Sequence, residues 1–162
     1  LQIDDVQNNQ QLTSLVVQLT HLLERFLESL QAESKALKKN HPEKLTQASS
    51  TKQLLFNEIA VLTGQLETHL KANQLTLENL FNPDVYVTFS KELQQSIQAL
   101  SDISNQCQDL NQANGMSIQM LSNINQHALN LISGKEQARV KLYGASGETT
   151  ASSNTKRPLG KA

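Results

Sequence analysis

The chain has 162 residues, a formal net charge of −1, only 4% aromatic residues and no Trp. That length supports one domain with a sizeable core, but Leu, Ile and Val must fill it, which favours a narrow helical bundle over a globular α/β enzyme. The near-neutral total hides a division: residues 1–134 carry 8 Lys/Arg against 13 Asp/Glu, and residues 135–162 carry 6 against 2.

Residues 1–9 are polar, and from Gln10 an amphipathic pattern begins. Leu12, Leu15, Val16, Leu19, Leu22, Leu23, Phe26, Leu27, Leu30 and Leu37 recur at gaps of three and four, the spacing of one helix face. The pattern predicts a first helix over 10–38. Lys38 and Lys39 suit the negative end of its dipole, and His41-Pro42 closes it, because the residue before proline leaves the helical region.

Pro42 opens the next element at the position where a missing N–H costs nothing. Leu45, Ala48, Leu55, Ile59, Leu62, Leu66 and Leu70 then predict a second helix over 43–71. With so short a connection the two helices fold back as an antiparallel hairpin. Residues 71–83 hold Leu75, Leu77, Leu80 and Phe81 without a clean period and read as a packed connector with a helical turn.

Asn82 as N-cap and Pro83 at the first helical position predict the start of a third helix, over 84–133. Leu93, Leu100, Cys107, Asn114, Leu121 and Ala128 fall seven apart, and Ser96, Ile103, Leu110, Ser117, Ile124 and Leu131 fill the second seam of the same heptads. Beyond Ser96 the seam is broken only at Asn114 and Ser117, around the polar insert from Asn111 to Gly115. Cys107 reads as a small core hydrophobe, because nothing basic stands near it to activate a thiol.

A third helix of about 49 residues outruns a hairpin of about 29-residue helices by some 20 residues, so an overhang is expected from Asn114-Gly115 onward. That half also has the wider apolar arc, through Ile118, Met120, Leu121, Ile124, Ala128, Leu129, Leu131 and Ile132. Spacing alone leaves two readings open: a partner surface that two methionines make adaptable, or a face that completes the bundle or a homodimer. Extension of the second helix through the connector would halve the overhang.

After Ser133-Gly134 the apolar period is lost, and residues 135–162 read as a flexible basic tail in which Leu142-Tyr143-Gly144 stands out. The six scattered basic residues of that tail do not form a nucleic-acid patch. No run approaches the roughly 18 apolar residues of a membrane span and no leader opens the chain, which predicts a soluble cytoplasmic protein without direct membrane insertion. Phosphate loops, nucleophile elbows and metal-spaced His/Cys/Glu clusters are all lacking, so no enzyme, cofactor or metal is expected. His69-Leu70-Lys71 has neither the spacing nor the glycine of a histidine phosphotransfer patch.

The run from Asp109 to Ile132, DLNQANGMSIQMLSNINQHALNLI, followed by LYGASGETT from Leu142, resembles the C-terminal half of the FlgN-type flagellar export chaperones. The resemblance implies an all-α cytoplasmic chaperone of flagellar type III export. Such a chaperone binds the hook-associated proteins of the hook–filament junction, prevents their premature assembly and delivers them to the membrane export gate. It further implies client binding by Asn111, Asn114, Gly115, Ile118, Met120, Leu121, Ile124, Ala128, Leu131 and Ile132, and gate docking by Leu142, Tyr143 and Gly144. The alternative is a structural coiled-coil protein that self-associates through the third helix. Monomer and dimer both remain open.

Overall fold

Two chain reversals, each built by the same backbone device, set the architecture of the helical hairpin. The first follows Lys38: Asn40 adopts a left-handed φ of 51°, its N–H bonds Leu37 O at 3.2 Å, and the His41 N–H bonds Ala36 O at 3.0 Å. These paired bonds satisfy carbonyls that the helix end would otherwise orphan. The second follows Ala72: Gln74 at φ 59° lets its own N–H reach Lys71 O and the Leu75 N–H reach Leu70 O at 2.9 Å. Leu75 and Leu70 are both buried, the apolar contact that accompanies this kind of helix stop.

The computed structural model describes residues 6–133, and among these no strand occurs. The elements are α1 (Val6–Lys38), α2 (Pro42–Ala72), α3 (Leu77–Phe81), α4 (Pro83–Tyr86) and α5 (Lys91–Ile132). The fold is thus all-α, a hairpin of α1 and α2 joined by a long α5, as the apolar periodicity predicts. The tail from Lys135, with Leu142, Tyr143 and Gly144, lies outside the described residues.

The chain divides into two units, Leu1–Met120 and Leu121–Ala162. In the first, one core cluster joins Leu12, Val16 and Leu19 of α1 to Leu62, Leu66 and Leu70 of α2 and to Leu93, Ile97 and Leu100 of α5. Leu75, Leu80 and Phe89 of the connector complete it. Each such side chain taken from water contributes about 2 kcal/mol. A second cluster holds Phe26, Leu30, Leu55 and Cys107. In the second unit, residues 121–132 are helical and Ser133 turns out of the helix.

The third long helix starts at Lys91, not at residue 84. Asn82 does cap a helix, its Oδ1 accepting the Asp84 N–H at 2.9 Å, but that helix is α4 and ends at Tyr86. The chain then turns to bury Phe89. Ser90 restarts the helix by accepting the Leu93 N–H on its Oγ at 3.2 Å. Two further bonds brace the bend: Tyr86 Oη donates to Gln94 O and Gln94 Nε2 donates to Phe89 O, both at 2.9 Å. The second helix does not extend through the connector, because the left-handed Gln74 ends it.

Candidate functional site

The seven-residue register of α5 changes character along its length. Leu93, Leu100, Cys107 and Asn114 are buried, whereas the next two members, Leu121 and Ala128, are exposed. Asn114 is only 3% exposed and Leu121 is 38% exposed. From Gly115 to Ser133 every residue is exposed except the half-buried Asn130.

A polar network marks the change. Glu33 of α1 is fully buried. One of its carboxylate oxygens accepts from Lys52 Nζ at 2.7 Å and Ser49 Oγ at 3.2 Å, both on α2. The other accepts from Asn114 Nδ2 at 3.0 Å, and the same amide donates to Leu30 O at 2.8 Å. A buried carboxylate is tolerable only when its lone pairs are met in this way. The sequence reading missed Glu33, although it stands in the apolar spacing between Leu30 and Leu37, where a carboxylate is a signal in itself.

The expected client-binding residues therefore fall into separate groups. Asn114 is turned inward and serves the fold, so its side chain is not presented to a partner. Asn111, Gly115, Ile118 and Met120 are exposed parts of α5 in the first unit, and Met116 stands exposed among them. The other five lie in the second unit. At about 100° per residue, Leu121, Ile124, Ala128, Leu131 and Ile132 occupy one arc of about 100°. All five are exposed, Ile132 most of all at 84%. The face is also uncharged, because residues 110–134 contain no Asp, Glu, Lys or Arg. Exposed apolar side chains on α2, Leu54, Phe56 and Val61, were not singled out from the sequence.

Chemistry elsewhere is sparse. Cys107 donates its thiol to Leu23 O at 3.3 Å, and burial pushes its pKa above the ordinary 9.0. That is the opposite of what a reactive thiol needs. Among the described residues no group of three or more His, Cys, Asp or Glu side chains is arranged to hold a metal. No described helix is long and apolar enough to cross a membrane.

An exposed, neutral apolar helix face is the kind of surface on which partner chains bind. The model of the FlgN protein family matches residues 8–151. The chain belongs to that family, the flagellar export chaperones. No curated protein and no solved structure matches it.

Proposed function

We propose that this chaperone works in the cytoplasm, binding hook-associated proteins of the hook–filament junction through the exposed face of α5 and delivering them to the flagellar export gate. The observation that carries the reading is the arc of Leu121, Ile124, Ala128, Leu131 and Ile132, apolar, exposed and uncharged. An amphipathic client helix laid against such a face removes both apolar surfaces from water. The client thereby loses the surface by which it would assemble or aggregate before export.

Each large side chain of the arc contributes about 2 kcal/mol when covered, so a few of them suffice for a stable but reversible complex. Exposed Asn125, at the edge of the arc at about 100° per residue, adds hydrogen-bonding capacity at the rim without fixing a charge. Met116 and Met120 supply unbranched side chains that adapt to more than one client. Leu142, Tyr143 and Gly144 are assigned to the export gate, with the Tyr143 ring as the anchor.

Replacing Leu121 and Ile124 together by Asp tests the reading. Both are exposed, so helicity and melting should be unchanged while calorimetric binding of a hook-associated protein is lost. Undiminished client affinity would reject the site. A stable dimer of the unliganded chain that buries this face, seen by light scattering, would favour self-association instead.

A further inference from the structure

At the turn of the hairpin α1 and α2 frame an open cleft of about 510 Å³. Its lining includes Ala36 and Ala48, both buried, whereas most other buried apolar positions of the hairpin carry Leu. Small side chains leave the space that leucines fill elsewhere. Around it stand Lys35, Lys39, His41 and Lys44. Lys35 lies in the last turn of α1 and Lys39 just past its end, the Lys39 N–H bonding Lys35 O at 3.2 Å, and Lys44 is in the first turn of α2. Among the described residues none of these lysines forms an ion pair, in contrast to Lys52 and Arg25. His41 takes the N-cap of α2 without a side-chain capping bond, so the positive end of that helix dipole adds to the same field.

This concentration stands against the rest of residues 1–134. Residues 35–44 hold four of the eight Lys/Arg of residues 1–134 and one carboxylate, Glu43, while the remainder is strongly acidic. We propose that the cleft is a docking site for an acidic segment of a partner protein, distinct from the α5 face and independent of the client assignment. Charge complementarity supplies the attraction, and the recess supplies a seat for one turn of an acidic helix. The acidic remainder decides against the larger polyanions. A membrane surface or a nucleic acid would also lie across acidic surface, whereas a short peptide senses only the field within a Debye length of about 8 Å. No large exposed hydrophobic residue lies between Val17 and Leu54 to enter a bilayer.

The test uses the full chain and a fluorescent helical peptide with glutamates four residues apart, followed by anisotropy and by amide chemical-shift mapping. The triple variant K35E/K39E/K44E should weaken binding about tenfold or more, as expected for three solvent-exposed pairs. Lys71→Glu with Lys91→Glu, two lysines outside the cleft, should change it less than about threefold. Ala32→Phe, which fills the recess at an exposed position without altering charge, should also weaken it. Perturbed amides should cluster within residues 29–51. Equal losses in the two charge variants, full binding by Ala32→Phe, or displacement of the peptide by phosphatidylglycerol vesicles would each overturn the proposal. Circular dichroism of every variant separates a lost site from a lost fold.

Discussion

Asn114 Nδ2 donates to the buried carboxylate of Glu33 at 3.0 Å, joining α5 to α1 across 81 residues of sequence. The bond lies where the buried part of the α5 register ends, and a polar contact in an apolar seam selects one heptad alignment over its neighbours. Asn114→Ala should therefore lower the unfolding free energy by about 2–4 kcal/mol, because it leaves a buried carboxylate oxygen unmet. Replacing both partners, Glu33→Met with Asn114→Leu, should recover most of that loss, because the desolvation cost leaves with the charge. Urea denaturation reads both. A loss below about 0.5 kcal/mol for Asn114→Ala would mean the network is solvated in solution.

Gly115 follows at once in sequence, inside the helix, and a Cβ built there meets nothing within 4 Å. The fold does not need this glycine. Gly115→Ala should raise stability by about 1 kcal/mol through helix propensity. The family resemblance also assigns Gly115 to client binding, and on that assignment the added methyl group should weaken client binding several-fold. Full client affinity in a stabilised variant would remove Gly115 from the binding face.

The raised pKa of Cys107 has a signed consequence. The fold favours the neutral thiol, so this contribution is whole below the ordinary value of 9.0 and is lost as pH rises past it, through the higher folded value. Stability measured by denaturant midpoint should thus decline above pH 9 in the native chain. Cys107→Ala should flatten that limb while lowering stability at neutral pH. A thiol reagent at pH 8 should modify Cys107 at the rate of unfolding and not at the rate of a free thiol.

Ser90→Ala removes the cap that starts α5, its Oγ being the acceptor for the Leu93 N–H. A cost of about 1 kcal/mol is expected by thermal or urea unfolding. Asp84→Ala, before the bend, should cost much less, and the opposite order would put the start of the long helix back at Pro83.

Tyr143→Ala should leave client binding intact and reduce secretion of the client in cells. Equal loss of both would assign the tail to the client site.

The hairpin was legible because its core is made of leucines at gaps of three and four, and because His41-Pro42 marks the turn between its helices. The start of α5 was misread because Asn82-Pro83-Asp84 is a good helix start in its own right. What ends α4 is tertiary, the burial of Phe89 and the bracing of Tyr86 against Gln94, and no local pattern announces it. Asn114 shows the converse. Its heptad position was visible, yet its inward role depends on Glu33, a residue distant in sequence that only the packing of α5 on α1 brings near. The exposed arc from Leu121 to Ile132 was legible as a face, because periodicity fixes which side chains share a side. Periodicity does not say whether that side is covered.

The most direct test of the client face is hydrogen exchange of the full chain, alone and with a hook-associated protein. Amides of residues 115–132 should exchange fast in the free chain, where their side chains are exposed, and become strongly protected in the complex, with the hairpin unchanged. Protection of that stretch in the free chain at micromolar concentration, with no further change on adding client, would contradict the assignment and place the partner surface elsewhere.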